Sequence, residues 1–170
     1  MERDRLKWNT KYSVLQEPGK PASIVLDYYQ QAPPGPALDL ACGLGRHSLF
    51  LANQGIEVDA VDISDRALKH LEHPRVQTFC QDLDSWTALP DRYTLVVDLY
   101  FLDRRLFPQI ISCLQSGGLL IMETALLASN HIGNPKYKLK PGELLAVFGH
   151  WEILYHSEAG DIGSLVARKP

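Results

Sequence analysis

Ten residues decide the fold of this chain, and they read Leu38-Asp39-Leu40-Ala41-Cys42-Gly43-Leu44-Gly45-Arg46-His47. The apolar residues at their start predict a short strand over 37–41, and the residues 46–54, stopped by Gly55, predict a helix. Gly43 and Gly45 let the backbone between strand and helix approach a ligand without interference from a Cβ atom. Open α/β sheets bind their ligands at this kind of strand-to-helix turn.

Strand and helix patterns alternate after this turn. Further strands are predicted over 57–62, 76–80, 93–99 and, after a Gly117-Gly118 turn, 119–123. Helices are predicted over 65–71, with Ser64 as N-cap, in a segment ending near Leu114, and over 141–148. The final strands, 151–156 and 164–167, predict a hairpin. The fold class is therefore predicted as α/β and doubly wound, with a mostly parallel seven-stranded Rossmann-like sheet and a C-terminal antiparallel hairpin.

The length of 170 residues suits one sizeable hydrophobic core and is too short for two ordinary domains. We expect a single domain over 1–170. Its parts would be a leader with N-terminal helices over 1–36, a cofactor-binding core over 37–124, and a substrate-side loop, helix and hairpin over 125–170. The stretch Ala32-Pro33-Pro34-Gly35-Pro36 separates leader from core, and a helix is expected within 15–29.

The charge of the chain argues against a nucleic-acid partner, and the shortness of its apolar runs argues against a membrane. Lys+Arg 17 against Asp+Glu 20 gives a formal net charge of -3, with no basic stripe. The longest apolar runs are far below the ~20 residues of a membrane-spanning helix. The charged first ten residues do not resemble a secretory signal. We expect a cytoplasmic protein, a monomer or a homodimer, that acts on a small molecule.

The cysteines give no sign of a metal site or a disulfide. Cys42, Cys80 and Cys113 are far apart, odd in number and without a Cys-x-x-Cys pair. We therefore expect small buried thiols in a reducing compartment and no metal.

Three carboxylates lie at the ends of three successive predicted strands. Asp39 lies just before the glycines, where it would repel a pyrophosphate but can receive, directly or through water, the ammonium of a methionine moiety. Asp62 ends the second strand, and its acceptor oxygens suit the two hydroxyls of a ribose. Asp82 follows the third strand, where it can accept the adenine amino group while Ile63 and Leu83 cover the ring. Together they predict a pocket for an aminoacyl-nucleoside cofactor, although each feature alone also fits a plain turn or helix cap.

At these residues the chain resembles the class I S-adenosylmethionine-dependent methyltransferases, and more narrowly the small methyltransferases of the tellurite-resistance type. The resemblance rests on Trp8-Asn9-Thr10-Lys11-Tyr12, Asp39-Leu40-Ala41-Cys42-Gly43-Leu44-Gly45-Arg46-His47-Ser48 and Val61-Asp62-Ile63-Ser64. Ala41 departs from it, because it stands where the first glycine of the motif is usual. The resemblance implies S-adenosylmethionine as cofactor.

The resemblance also implies that Trp8 and Tyr12 lie on a leader helix that closes over the cofactor, although the two rings fit equally well a role in pinning the leader to the core. Arg46 suits either a contact to the cofactor carboxylate or a solvated helix start. The expected cofactor-binding residues are Tyr12, Asp39, Cys42, Gly43, Gly45, Arg46, Asp62, Ile63, Ser64, Asp82, Leu83 and Asp98.

The methyl acceptor implied by the resemblance is a small molecule, a thiol or a chalcogen oxyanion. Transfer from a sulfonium depends on alignment more than on an acid or a base, so the catalytic residue stays unknown, with Tyr100, Glu123 and His131 as candidates. The stretch Asp98-Leu99-Tyr100-Phe101 lacks the Pro-Pro of nucleic-acid amino-methyltransferases. This difference argues against a nucleic-acid base as acceptor.

Two other functions fit part of the pattern. Gly43-x-Gly45-x-x-Ser48, with Asp62 about 20 residues later, approximates the dinucleotide fingerprint of an NAD-dependent oxidoreductase. Asp39, Asp82 and the terminal hairpin argue against that alternative. A cofactor-binding module without turnover would keep the same pocket and lack an acceptor site.

Overall fold

The structure is a computed structural model that describes residues 2–15, 17–130 and 134–170. Its α-helices are α1 (Glu2–Tyr12), α2 (Ser23–Tyr28), α3 (Arg46–Asn53), α4 (Asp65–Leu68), α5 (Phe107–Cys113) and α6 (Glu143–Phe148). Its strands are β1 (Ala37–Leu40), β2 (Val58–Asp62), β3 (Val76–Cys80), β4 (Tyr93–Leu99), β5 (Leu114–Ala125), β6 (Glu152–Ala159) and β7 (Ile162–Arg168).

These strands form one sheet in the order β3-β2-β1-β4-β5-β7-β6. Strands β1 to β5 pair in parallel, whereas β7 pairs antiparallel with both β5 and β6. The predicted seven-stranded, mostly parallel sheet with a C-terminal hairpin is confirmed. The strand order reverses between β1 and β4, and the carboxyl ends of the strands at such a reversal are where open α/β sheets bind ligands.

Helices cover both faces of the sheet, which is why β1, β2 and β4 are buried at every residue without alternation. On one face Leu40, Val96 and Met122 pack in a cluster with Ile110 of α5 and Phe148 of α6. On the other face the sheet residues pack against α2 and α3, in a cluster that includes Ile24, Val25, Ala37, Leu51, Val97 and Ile121. This two-sided burial holds the carboxyl ends of β1 and β4 in fixed positions.

The start of β5 differs from the sequence prediction. The strand begins at Leu114 and not at Leu119, because residues 114–118 form an irregular start in which the register with β4 shifts and Gly117 has φ +76°. The Gly-Gly pair therefore makes a bulge in the strand and not a turn before it. The hairpin strands are also longer than predicted, and α4 stops at Leu68 and not at Leu71.

Strand β3 lies at one edge of the sheet and is only partly covered. Cys80, at its end, is exposed, so the expectation of three buried thiols is wrong for this residue. Cys42 and Cys113 are buried and, like Cys80, unpaired. Within the described ranges, the helices lack the length and apolarity needed to cross a membrane.

Candidate functional site

The loop from β1 to α3 turns by means of three residues in the left-handed region. Ala41 has φ +51°, Gly43 φ +56° and Gly45 φ +75°. Ala41 thus keeps the backbone conformation of the usual glycine at the cost of strain, about 1–2 kcal/mol for an L-residue. Non-glycine residues with such φ values cluster at functional sites.

The space in which a Cβ atom on either glycine would lie is occupied by another side chain. A Cβ on Gly43 would lie 2.6 Å from the hydroxyl oxygen of Tyr12, and one on Gly45 would lie 2.2 Å from Cδ1 of Leu71. The first contact brings the end of the leader helix α1 directly over the glycine loop.

Asp39 is buried beneath this loop and binds the start of α3. The backbone N–H and the hydroxyl of Ser48 donate to Oδ2 of Asp39, at 3.0 and 2.6 Å. Burial raises the pKa of Asp39 to about 7, against the two hydrogen bonds from Ser48, which lower it. The carboxyl group therefore titrates near neutral pH, and a cation placed beside it would favour its charged form.

Asp62 joins the end of β2 to the glycine loop. Its Oδ2 accepts from the N–H of Gly43 and its Oδ1 from the N–H of Ser64, both at 2.8 Å. Burial raises the pKa of Asp62, and these backbone donors oppose the rise. Each oxygen has a further lone pair for another donor. The hydroxyl of Ser64 accepts from the N–H of Ala67, which confirms Ser64 as the N-cap of α4.

The ends of β3 and β4 contribute the remaining predicted acids. The N–H of Gln81 donates to the backbone oxygen of Asp62 at 3.0 Å, so Asp82 follows directly at the same edge of the sheet, and its Oδ1 accepts from the N–H of Asp84. Asp98 pairs in register with Leu40, immediately before the glycine loop. Leu83 is buried and Ile63 half-buried.

Helix α1 lies across this edge and is held there by polar contacts. The side-chain amide of Asn9 donates to Oδ1 of Asp65 at 2.8 Å, and Asn9 accepts from the hydroxyl of Ser64 at 2.6 Å. Trp8 and Tyr12 stack with ring centroids 5.9 Å apart. Burial, with the nearby charge of Asp62, raises the pKa of Tyr12 to about 12, so its hydroxyl stays protonated over the loop.

Tyr100 directly follows β4, and Glu123 lies near the end of the neighbouring strand β5. Tyr100 is 47% exposed and has φ +61°, a second strained residue at a strand end. Its hydroxyl donates to Oε1 of Glu123 at 2.8 Å, while the hydroxyl of Ser164 donates to Oε2 at 2.9 Å. The guanidinium of Arg46 lies 5.4 Å from the centroid of the Tyr100 ring. The candidate His131 lies outside the described residues.

Two residues of the site, Ser48 and Asn9, were not among the predicted site residues. Ser48, which holds Asp39, and Asn9, which holds α1, act through contacts between distant segments. Arg104 binds Glu143 together with the backbone oxygens of Lys136 and Lys138, so it secures the segment after β5. The one available hint was the presence of Ser48 and Asn9 within the motifs quoted above.

A second candidate location for a ligand is a pocket at the opposite, amino edge of the sheet. It is lined by residues that precede or begin the strands, among them Tyr29, Pro33, Gly35, Ile56 and Leu95. Its walls are mainly apolar and carry no carboxylate. The carboxyl edge, by contrast, combines the strained loop with buried acids.

A sequence profile described as "TehB: Tellurite resistance protein TehB" matches residues 4–168. The chain belongs to the TehB family. It is 26% identical over 150 residues to the probable S-adenosyl-L-methionine-dependent methyltransferase TehB of Haemophilus influenzae (strain 10810), covering 79% of this chain and 52% of that protein. It is 28% identical over 152 residues to Hemagglutinin 1 of Eikenella corrodens, covering 81% and 50%. The chain thus spans about half the length of these curated relatives.

Solved structures share the fold of this chain. The crystal structure of TehB from Haemophilus influenzae superposes with a TM-score of 0.75 at 21% identity, over 88% of this chain and 63% of that one. A methyltransferase from Aquifex aeolicus described as SAM-dependent gives 0.72 at 14% identity, over 95% and 98%. The TehB-family chain therefore has the class I methyltransferase fold, as predicted.

Proposed function

We propose that this chain binds S-adenosylmethionine at the carboxyl edge of β1, β2 and β4 and transfers its methyl group to a small-molecule acceptor. The observation that carries the proposal is the strained loop at Ala41, Gly43 and Gly45, tied to the buried carboxylates of Asp39 and Asp62. Membership of the TehB family supports the same reaction. The whole stretch 1–170 would act as one domain.

The residues present fit this cofactor. Asp39 and Asp98 would face its ammonium, and Asp62 would accept from the ribose hydroxyls with the lone pairs left free by Gly43 and Ser64. Asp82, with Ile63 and Leu83, would hold the adenine. Backbone groups of residues 42–45 would line the methionine moiety, with Arg46 near its carboxylate. When bound, the cofactor supplies an electrophilic methyl group.

Helix α1 would serve as the cover of this pocket. The Tyr12 hydroxyl stands over Gly43, and Asn9 fastens α1 to Ser64 and Asp65. A nucleoside entering between the loop and α4 would have to displace at least the Tyr12 ring. Because α1 has no fully buried residue and only Trp8, Asn9 and Tyr12 are half-buried, the displacement would expose little more than the covered parts of these side chains.

The acceptor would lie beside Tyr100 and Glu123. We propose a thiol or a chalcogen oxyanion, in agreement with the name of the family. Alignment of the acceptor atom with the methyl group would supply most of the rate enhancement. Where the acceptor must lose a proton, the carboxylate of Glu123 would act as the base. The hydrogen bond from the Tyr100 hydroxyl to Oε1 orients this carboxylate. Turnover of a thiol panel and of tellurite, followed as S-adenosylhomocysteine formed, tests this acceptor class.

Calorimetric titration with S-adenosylmethionine, S-adenosylhomocysteine and NAD tests the cofactor. We expect both sulfur ligands to bind and NAD not to bind.

Asp62→Ala should weaken the binding of the sulfur ligands by roughly 2–3 kcal/mol, because the ribose hydroxyls lose a charged acceptor. Asp59→Ala is the control: Asp59 pairs with Arg92 and Tyr93 away from the loop, so a folded variant should keep the affinity. Binding of NAD alone would overturn the proposal, and binding without turnover of any acceptor would favour a module without catalysis.

A further inference from the structure

The connection between β3 and β4 carries residues proposed to hold the adenine, and it has little regular structure of its own. It covers residues 81–92, all of which the structure describes, and none of them lies in a helix or a strand. Each residue of such a loop loses conformational entropy when it is ordered. A single conformation of this loop therefore requires contacts from the rest of the chain.

Apolar packing supplies part of these contacts. Leu83 and Trp86 are 7% and 8% exposed and lie in one cluster with Phe107 and Ile110 of α5. Burial of this kind is non-directional. It holds the loop against α5 but does not by itself decide which way the carboxylate of Asp82 points.

Gln109 of α5 binds the later part of the loop with both ends of its side-chain amide. Its Nε2 donates to the backbone oxygen of Trp86 at 2.9 Å, and its Oε1 accepts from the backbone N–H of Ala88 at 3.1 Å. Both bonds are partly buried, and a hydrogen bond is electrostatically stronger there than in water. One side chain thus fixes the backbone of the loop at two points.

Arg105 binds the earlier part of the loop from the turn that leads into α5. Its guanidinium contacts the carboxylate of Asp84, and its Nε lies 2.9 Å from Oδ1 of Asp103. The backbone N–H of Asp84 in turn donates to Oδ1 of Asp82 at 3.0 Å. The contacts that begin at Arg105 therefore reach the carboxylate that is proposed to face the base. Arg105 and Gln109 are one helical turn apart, a spacing that places two side chains on the same side of a helix.

We propose that Gln109 and Arg105 are positioning residues that give the cofactor site its preference for adenine, by holding the loop 81–92 so that the carboxylate of Asp82 faces the amino group of the base. The inference rests on the proposed function, in which Asp82 accepts from that amino group. A site built to bind a donor group rejects an analogue that lacks it, because the acceptor is then left unpaired. The aim of the Asp82 carboxylate therefore decides how strongly the amino group is recognised.

The preference for adenine can be measured by binding alone. Calorimetric titrations compare S-adenosylhomocysteine with its purine analogue, in which a hydrogen atom replaces the amino group of the base. The two ligands are otherwise identical, so the ratio of their affinities reports only the recognition of the amino group. We expect the wild-type protein to bind S-adenosylhomocysteine at least about tenfold more tightly, the value of one hydrogen bond to a charged acceptor.

Gln109→Met keeps the length of the side chain and removes both of its hydrogen bonds to the loop. In this variant the ratio of the two affinities should fall by about fivefold or more, because the Asp82 carboxylate is no longer held toward the base. Gln115→Met is the matched control. Gln115 is also half-buried, and its Nε2 donates to the backbone oxygen of Arg92 at 3.3 Å, next to the start of β4 and away from the carboxyl edge. This control should keep the wild-type ratio.

Arg105→Met removes the contact to Asp84 from an exposed position, so the variant should fold. The ratio of the two affinities should fall in the same direction by about threefold, a smaller change because exposed ion pairs hold their partners weakly. Circular dichroism of each variant checks that it is folded.

The outcomes separate this inference from the proposed function. If neither ligand binds the wild-type protein, the proposed function fails and the inference fails with it. If the wild-type protein binds both ligands equally well, the cofactor site stands and the inference alone is wrong. Weakening of both ligands by the same factor in Gln109→Met would make Gln109 a merely structural residue and would overturn the inference. If Gln109→Met does not fold, an unchanged ratio in Arg105→Met overturns it instead.

Discussion

Replacing Ala41 with glycine tests the strained loop at the centre of the site. The φ of +51° at Ala41 costs an L-residue about 1–2 kcal/mol and costs glycine almost nothing. Against this relief stand the greater entropy of glycine in the unfolded chain, about 0.5–1 kcal/mol, and the loss of one partly buried methyl group, at most about 0.8 kcal/mol. We expect Ala41→Gly to change the free energy of unfolding by less than about 1 kcal/mol.

Ala146→Gly is the matched control, because Ala146 is an exposed residue in α6. There the same substitution has the entropic cost without any relief of strain, and should lower the free energy of unfolding by about 1 kcal/mol. Urea unfolding of both variants gives the two values. The variant at position 41 should be the more stable of the two by about 1 kcal/mol. Equal losses would mean that Ala41 is not strained, and would refute the reasoning.

Further predictions concern packing, pH and the leader. Gly45→Ala should lower the free energy of unfolding by about 2–4 kcal/mol, because its Cβ would meet Leu71 and its φ is positive; a loss below about 1 kcal/mol in urea titrations would contradict that contact. Burial lowers the pKa of His47 to about 3, so this side chain takes up a proton in the unfolded chain before it does so in the native protein. As the pH falls from about 6.5 toward 3 the wild-type protein therefore loses stability, and His47→Gln should gain stability relative to it. Burial raises the pKa of Asp39 to about 7, so between about pH 4 and 7 the native protein holds a proton that the unfolded chain has lost. The wild-type protein therefore loses stability as the pH rises through this range, and Asp39→Asn should gain stability relative to it. Thermal unfolding across this pH range checks both, and profiles parallel to wild type would contradict them. Asn9→Ala should speed amide hydrogen exchange in α1 while leaving the exchange of the sheet unchanged, since α1 is held by polar contacts; unchanged exchange in α1 would mean that Asn9 does not hold it.

The central sheet is predictable because its signals are local. The bounds of β3 and β4 agree with the sequence prediction, since each is a short apolar or β-branched run between turn residues. The N-cap at Ser64 is likewise a local pattern, and the order of strand-end acids places Asp39, Asp62 and Asp98 at one edge of the sheet. The family and fold predictions, which depend on that order, are confirmed.

The details of the site depend on contacts that no local pattern encodes. The bond from Ser48 to Asp39 and the position of Tyr12 over Gly43 join segments that meet only in the folded chain. The residue type of Tyr100 gives no sign of its positive φ, whereas the positive φ of Ala41 is indicated only by its position at the usual first glycine of the motif. The roles of the cofactor-binding and acceptor-binding residues stay predictions.

Amide hydrogen exchange with and without S-adenosylhomocysteine tests the location of the cofactor site most directly. We expect the ligand to slow exchange at residues 41–46 and 62–64, where backbone N–H groups line the carboxyl edge of the sheet. Protection confined to residues 30–35 and 56, around the pocket at the amino edge, would contradict the account, as would the absence of any protection at saturating ligand.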